Sequence, residues 1–237
     1  MKSLGLQHPE RVELTERGVA EDRRFYLVDE AGRLVGGVKH GPLVQVCPEW
    51  DGVSRLVLMF PDGTRADGSV ELGEPVETDF YGKRRVSGRV VHGPWAGALS
   101  EYAGASLSLV RVEDRSYALD ISVATLVSDG SLEALGGLDG RRFRMLLELE
   151  GCEPFEEDSW RDSLVRAGSV LLRLGGPVPR CAVTTQDPAT GVRNHDTLRS
   201  IRERRGRSED GRIYLGMYAD VAEPGSVAVG DPVSPAS

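Results

Sequence analysis

The sequence predicts a mainly β protein with a few short helices, organised as two β-rich units that each close into a barrel. Short apolar runs rich in β-branched and aromatic residues recur along the chain, which is typical of strands. Clusters of Gly, Pro and Asp separate these runs, as expected of tight turns. The chain has 237 residues, 40% of them hydrophobic, which is enough for one large or two small domains with packed cores.

The first half of the chain contains two predicted hairpins. Residues 25–28 precede an Asp-Glu-Ala-Gly turn and the apolar pair Leu34 and Val35. Residues 56–60 precede the Pro-Asp-Gly turn at residues 61–63. An apolar run followed by turn-forming residues and a second apolar run is the pattern of an antiparallel hairpin.

A short helix is predicted near the middle of the chain. Trp95, Leu99 and Tyr102 lie three or four residues apart, so a helix places them on one face. Gly104 can end this helix in the left-handed conformation. We place the domain boundary at the start of the helix, with an N-terminal β-barrel-like domain at residues 1–95 and a second β-barrel domain at residues 96–237.

Most of the second half is predicted to form strands. The segments with strand character are residues 107–112, 123–127, 143–149, 170–174, 213–218 and 227–233. Ser131 can cap a short helix that ends at the glycines 136–137, and Asp196 can cap a second helix that runs to about Arg205 before Gly206.

Charge and composition exclude several classes of protein. The formal net charge is −8, and no basic surface with interleaved aromatic residues is evident, so we predict no nucleic-acid partner. No stretch approaches the roughly 20 apolar residues of a membrane helix, and no signal-peptide pattern is visible, so we predict a cytoplasmic protein with no membrane association. The oligomeric state is left open.

The cysteines and histidines do not form a recognisable metal or disulfide motif. Three widely spaced cysteines fit a reducing compartment and cannot supply the four ligands of an iron–sulfur cluster. The four histidines are scattered, without the paired spacing of a zinc site. The glycine-rich and nucleophile-elbow motifs of nucleotide-binding and hydrolase folds are also absent from the sequence.

Cys181 is the strongest candidate for a functional residue. It follows a stiff Gly-Gly-Pro-Val-Pro approach and Arg180, and it opens an apolar segment that we predict to be a strand. A guanidinium beside a thiol favours the thiolate, which is the form that binds metals and performs redox chemistry. The alternative is an inert buried cysteine. We assign packing to Cys152 and no role to Cys47.

Several segments together resemble the signature of MOSC domains. These segments are residues 180–191, Thr197-Leu198, residues 216–218 and residues 229–233, with further matches at Phe143-Arg144 and residues 157–160. Residues 1–95 resemble the N-terminal β-barrel that precedes the MOSC domain in the mitochondrial amidoxime-reducing component and its bacterial relatives. Asp158 and Trp160 are expected to be structural, the aspartate as a cap for backbone donors and the tryptophan as an anchor.

The resemblance implies a molybdenum cofactor enzyme that reduces N-hydroxylated substrates. It implies that Cys181 is the molybdenum ligand and that electrons arrive from a separate flavin or iron–sulfur reductase. It also implies a set of polar residues around the pterin and its phosphate. These residues are Lys2, Ser3, Arg24, Ser122, Arg144 and Arg180.

Two alternatives remain open at this point. Because MOSC domains of molybdenum cofactor sulfurases receive sulfur, Cys181 could carry a persulfide. The chain could also be a cofactor-free interaction module, since Leu146 stands where eukaryotic relatives have a polar amide. We do not expect His195 and Asp196 to act as a catalytic pair, because sequence neighbours in a loop rarely face each other.

Overall fold

The computed structural model describes residues 1–113 and 117–236. Within them, strands account for 40% of the chain and three α-helices are present. The strands are β1 (Arg11–Thr15), β2 (Gly18–Val19), β3 (Phe25–Asp29), β4 (Cys47–Trp50), β5 (Arg55–Met59), β6 (Arg65–Ser69), β7 (Glu71–Phe80), β8 (Arg84–His92), β9 (Leu107–Val112), β10 (Ala124–Ser128), β11 (Leu147–Leu149), β12 (Leu164–Ala167), β13 (Val170–Pro179), β14 (Tyr214–Glu223), β15 (Gly225–Ala228) and β16 (Val233–Pro235). The α-helices are α1 (Trp95–Ala103), α2 (Asp129–Glu133) and α3 (Thr197–Arg205). The predicted fold class, mainly β with a few short helices and curled half-barrel sheets, is confirmed.

The chain divides into two compact units. Unit 1 consists of Met1–Gln7, Glu21–Asp120 and Ala189–Val192, and unit 2 consists of His8–Ala20, Ile121–Pro188 and Arg193–Ser237. The chain therefore passes between the units more than once. The single domain boundary between residues 95 and 96 stays a prediction, because units defined by contacts and domains defined by sequence need not coincide.

Unit 1 contains two antiparallel sheets with strand orders β3-β9-β8-β7 and β4-β5-β6. The predicted β5–β6 hairpin is confirmed, whereas Leu34 meets Val28 in an isolated bridge. Helix α1 also forms as predicted. It buries Trp95 and Leu99 and ends at Gly104 in the left-handed conformation (φ +61°). The Trp95 indole donates a hydrogen bond to the Leu56 carbonyl at 3.0 Å, so this large side chain is buried with its polar atom satisfied.

A buried hydroxyl pair in unit 1 gives a testable prediction. The Tyr26 hydroxyl donates to Thr78 Oγ1 at 3.0 Å, and both residues are fully buried. Burial raises the pKa of Tyr26, so its contribution to stability is present below pH 10 and is lost as the pH rises through the folded-state pKa. We expect Tyr26→Phe to lower the free energy of unfolding by about 1–2 kcal/mol at neutral pH. We expect the difference from wild type to shrink above pH 10 in denaturant titrations.

The control for this prediction is Thr78→Val together with the double variant. Removing both partners leaves no unsatisfied hydroxyl, so the double variant is expected to lose less than the sum of the two single variants. Additive losses with no dependence on alkaline pH would contradict the assigned hydrogen bond.

Unit 2 is built on a six-stranded sheet with strand order β11-β10-β14-β13-β12-β16 and a three-stranded sheet with order β15-β1-β2. The β10–β11 pair is parallel, and the other pairs are antiparallel. The first core cluster of this unit includes Leu126, Leu172 and Met217. A second cluster joins the sheet to α3 through Ile201. None of the three helices in the described part of the chain has the length and hydropathy that a membrane-spanning helix needs.

The structure corrects the predicted approach to Cys181. The Gly/Pro segment at residues 175–179 is the end of strand β13, which pairs with β14 through several shifts in register. Proline cannot donate a ladder hydrogen bond, and bulges accommodate it within a sheet. Cys181 therefore follows a strand, and the predicted strand after it is a 3-10 turn at Ala182–Thr185.

Two further segments differ from their predictions. The predicted strand at residues 143–149 is reduced to β11, because a 3-10 turn at Gly140–Phe143 precedes it and Arg144 is left-handed (φ +53°). The cap of α2 is Ser128, not Ser131. The Ser131 hydroxyl instead donates to Glu157, a fully buried carboxylate, at 2.8 Å.

The residues around Trp160 are structural, as expected, but Asp158 acts differently from the prediction. Trp160 packs in the core of unit 2. The Asp158 carboxylate pairs with Arg205 of α3, whose guanidinium lies 4.6 Å from the Phe155 ring centroid. The side chain therefore joins a turn to a helix through an ion pair, where a cap for backbone donors was expected.

Candidate functional site

Cys181 lies two residues after the end of β13 and immediately before the 3-10 turn Ala182–Thr185. Its backbone is extended (φ −122°, ψ 176°), and its carbonyl accepts hydrogen bonds from the Thr184 amide at 3.2 Å and the Thr184 hydroxyl at 3.1 Å. The residue is exposed. A thiol fixed by its backbone and open on its side-chain face is available as a ligand or a nucleophile, which argues against the inert buried cysteine.

Helix α3 supports the turn that carries the thiol. The buried Thr197 hydroxyl donates to the Thr184 carbonyl at 2.7 Å. Asp196 caps the helix by accepting from the Arg199 amide at 3.1 Å, and Gly206 follows its last residue. The predicted cap and end of α3 are thus confirmed. The first residue of the helix, Thr197, is hydrogen-bonded to Thr184, which in turn donates to the Cys181 carbonyl.

Arg180 is half-buried and donates hydrogen bonds to two backbone carbonyls. Its Nε and Nη2 donate to the Leu215 carbonyl at 2.9 and 2.6 Å, and Nη1 donates to the Phe143 carbonyl at 3.1 Å. Nη2 also lies 2.8 Å from Met145 Sδ. Burial of the guanidinium lowers the pKa of Arg180 to about 10, with Tyr218 and Cys181 acting in the opposite direction, so the side chain remains a cation at neutral pH.

Arg144 and Ser122 also lie in unit 2. Arg144 is half-buried and follows the turn Gly140–Phe143 in a left-handed conformation, which costs a residue with a Cβ atom about 1–2 kcal/mol. Strain of this kind persists only where the surroundings enforce it, and it often occurs at functional sites. Ser122 is half-buried in the loop before β10. The Phe143–Arg180 hydrogen bond therefore connects the residue before Arg144 to the residue before Cys181. Ser122 is not part of this connection.

Lys2 and Arg24 are two buried cations in unit 1. Lys2 Nζ lies 2.5 Å from Asp120 Oδ1 and 3.3 Å from the Ala118 carbonyl. The Arg24 guanidinium lies 5.3 Å from the Tyr117 ring centroid. The two cations therefore contact the same short segment, and buried cations of this kind favour anionic groups.

Ser3 adjoins Lys2 and has positive φ (+69°). It is half-buried, and its hydroxyl lies 3.5 Å from the Val35 carbonyl, at the outer limit of a hydrogen bond. Of the cofactor residues predicted from the resemblance, Lys2, Ser3 and Arg24 thus belong to unit 1, and the others belong to unit 2.

The remaining candidates have structural surroundings. His195 Nε2 lies 3.0 Å from Ser200 Oγ, while Asp196 serves as the α3 cap, so the two do not form a pair. Burial raises the pKa of Cys152, assisted by Glu156 and nearby acids, which disfavours its thiolate at neutral pH. Cys47 is exposed on β4.

The side chains that could share a metal with Cys181 decide which kind of metal site it can form. The described residues contain no group of three or more His, Cys, Asp and Glu side chains that could hold a metal ion. A metal bound by this thiolate would draw its other ligands from a cofactor or from solvent. The soft thiolate of Cys181 is a donor suited to molybdenum held by a pterin cofactor.

Sequence reasoning missed the residues that organise this region. Gly216 has φ +69°, and a Cβ atom there would lie 2.5 Å from the Leu126 carbonyl oxygen and 2.6 Å from Met145 Cε. In the sequence, Gly216 is only one residue of the segment 216–218 that resembles the MOSC signature, and nothing there indicates its packing role. The hydrogen-bonding partners Met145 and Leu215 carry no sequence signal, because a backbone carbonyl and a thioether can act as acceptors in almost any context.

Comparisons with known proteins agree with the resemblance. The MOSC domain family profile matches residues 89–234. The chain is 34% identical over 255 residues to mitochondrial amidoxime-reducing component 1 of Xenopus laevis, covering 91% of this chain and 72% of that protein. It is 33% identical over 138 residues to the same-named protein of Mus musculus, covering 53% of this chain and 40% of that protein.

The name of a third relative indicates a different activity. The chain is 31% identical over 253 residues to the molybdenum cofactor sulfurase of Anopheles gambiae, covering 88% of this chain and 31% of that protein. The family match extends over more than half of the chain, and the Xenopus laevis relative is matched over more than two thirds of its length. This chain therefore belongs to the MOSC-domain family.

Proposed function

We propose that this protein is a molybdenum cofactor-dependent oxidoreductase that reduces N-hydroxylated substrates, with Cys181 as the protein ligand of molybdenum. The balanced reaction is R–NHOH + 2e⁻ + 2H⁺ → R–NH₂ + H₂O, in which the N–O bond breaks. The bound cofactor would supply the two-electron chemistry at the metal. A separate flavin or iron–sulfur reductase would supply the electrons.

The single observation that carries this proposal is the exposed thiol of Cys181, which in the described part of the chain belongs to no group of three or more potential metal ligands. A structural zinc site would need four protein ligands, and a catalytic zinc site would need three. One exposed thiolate at the start of a 3-10 turn suits a metal whose remaining ligands are brought by a cofactor. The names of the amidoxime-reducing relatives support the proposed class of reaction.

The polar residues have distinct proposed roles around the cofactor. Lys2 and Arg24 would hold the pterin phosphate through charge, with Ser3 and Ser122 as hydroxyl donors. Arg144 would present its guanidinium from the strained turn before β11. Arginine is suited to such sites because its planar fork binds phosphate oxygens in a bidentate way.

The direct test is the metal content of freshly purified protein. We expect protein expressed in a host that makes the cofactor to contain close to one molybdenum per chain by elemental analysis, with a visible absorption band. We also expect it to reduce a simple amidoxime with chemically reduced viologen as electron donor. Colourless, metal-free protein from such a host would contradict the proposal and favour the cofactor-free module.

Sulfur transfer is a second candidate, favoured by the exposed thiol and the sulfurase relative. The step would be Cys181–SH + R–S–SH → Cys181–S–SH + R–SH, where a desulfurase persulfide is the donor. Mass spectrometry after incubation with a cysteine desulfurase would show an adduct of about 32 Da on Cys181, one sulfur atom. A sulfur carrier would show this adduct and no amidoxime reduction.

A further inference from the structure

The Arg180 guanidinium joins three segments of unit 2. Its hydrogen bonds reach the Leu215 carbonyl of β14 and the Phe143 carbonyl at the end of the 3-10 turn, and Nη2 contacts Met145 Sδ. The Phe143 ring also lies 5.3 Å from the guanidinium carbon. Arg180 itself lies between the end of β13 and Cys181, so one side chain connects the thiol, β14 and the turn.

The groups bound by Arg180 lie on both sides of Arg144. Phe143 precedes Arg144 in the chain and Met145 follows it. Arg144 is left-handed, a conformation that a residue with a Cβ atom adopts only under enforcement. The next anchor is the Leu146 amide, which donates to the Thr125 carbonyl at 3.1 Å. The contacts of Arg180 therefore hold the residues immediately before and after Arg144 in place.

The hydrogen-bonding capacity of Arg180 is largely committed to these protein groups. A guanidinium carries five N–H donors. The assigned contacts use Nε, Nη1 and Nη2, with two acceptors at Nη2. An arginine that bound a phosphate in the bidentate way would present a pair of N–H groups outward, and here donors on every nitrogen point at the protein.

We propose that Arg180 is a positioning residue, which holds the turn that carries Arg144 against β14 beside Cys181, and that it does not bind the cofactor phosphate itself. This inference rests on the proposed function for its role in cofactor binding. The structural part, that Arg180 fixes the turn, applies to the protein without any cofactor.

The test uses Arg180→Lys in the full chain, with Arg173→Lys as the matched control. Lysine keeps the charge, but its compact ammonium group lacks the planar fork with which arginine contacts two carbonyls and a thioether at once. Arg173 is an exposed arginine of the same strand, β13. The readout is hydrogen–deuterium exchange of peptides that cover residues 140–149 in cofactor-free protein.

We expect exchange in this segment to rise roughly tenfold or more in Arg180→Lys, because hydrogen bonds from a charged group are lost. We expect Arg173→Lys to match wild type. Unchanged exchange in Arg180→Lys would overturn the proposal. Since this readout needs no metal, it remains valid even if the protein proves to bind no molybdenum.

A double-mutant cycle tests the functional part through cofactor retention. We expect Arg180→Lys and Arg144→Ala each to lower molybdenum content after dialysis, and the double variant to lose little more than Arg144→Ala alone. Additive losses would show that Arg180 contacts the cofactor independently of Arg144, which would overturn the positioning role.

A milder variant covers the case in which Arg180→Lys does not fold. Met145→Leu removes one acceptor of Arg180 with little change in volume. We expect a smaller rise of exchange in the same segment, with the rest of the protein as in wild type. Wild-type exchange in Met145→Leu, combined with an unfolded Arg180→Lys, would indicate general core stabilisation and would contradict the proposal.

Discussion

Cys181→Ser is expected to abolish stoichiometric molybdenum binding and to lower kcat/KM for amidoxime reduction by at least about 100-fold. Loss of a group that merely supports a metal ligand already costs about 10–100-fold, and here the only proposed protein ligand is removed. A serine hydroxyl is a hard donor that stays protonated at neutral pH, so it cannot replace a soft thiolate. Elemental analysis and viologen-driven reduction measure the two effects.

The same substitution is expected to leave the fold intact. Cys181 is exposed, and its structural contacts are made by its backbone carbonyl, which serine retains. Surface substitutions of this kind change the free energy of unfolding by no more than about 0.5 kcal/mol. Thermal unfolding of cofactor-free protein therefore separates loss of a ligand from loss of structure.

Cys47→Ser is the matched control, because Cys47 is also exposed and belongs to unit 1. We expect it to retain metal and activity. A Cys181→Ser protein that still contains one molybdenum per chain and reduces substrate would remove Cys181 from the ligand role. Equal losses in both variants would indicate a general effect of thiol removal.

Gly216→Ala is expected to lower the free energy of unfolding by about 2–5 kcal/mol. The left-handed backbone (φ +69°) contributes about 1–2 kcal/mol. The overlap of a Cβ atom with the Leu126 carbonyl oxygen at 2.5 Å adds about 1–3 kcal/mol. Because a folded domain is typically stable by only about 5–15 kcal/mol, denaturant unfolding should detect this loss readily.

Gly211→Ala separates the two contributions. Gly211 belongs to the same unit and has a similar backbone (φ +75°), but a Cβ atom there meets nothing within 4 Å. We expect it to lose only the conformational part, about 1–2 kcal/mol. If both variants lost the same free energy, the close packing of Gly216 against β10 would be excluded as a cause.

Gly216→Ala should also affect the candidate site. The substituted residue would press on Met145 and follow Leu215, and both of these contact Arg180. We therefore expect faster hydrogen exchange of residues 140–149 in Gly216→Ala than in Gly211→Ala.

Elements with a complete local signal could be predicted from sequence. The spacing of Trp95, Leu99 and Tyr102 with Gly104 after them predicted α1, and Asp196 with Gly206 bounded α3. The segment 143–149 has the composition of a strand, yet the left-handed Arg144 and the preceding turn prevent it from pairing until Leu147. Periodicity describes side-chain burial and contains little information about such a change of backbone direction.

The sequence by itself determined the mainly β class, the ends of α1 and α3, and the identity of Cys181 as the candidate thiol, because these depend on residues within a few positions of one another. Only the tertiary structure decided that Cys181 follows a strand, that Arg180 donates hydrogen bonds to the Phe143 and Leu215 carbonyls, and that Lys2 pairs with Asp120. The last two residues are separated by 118 positions. Contacts across such distances depend on how strands pair and where turns change direction, and no local pattern of residues specifies them.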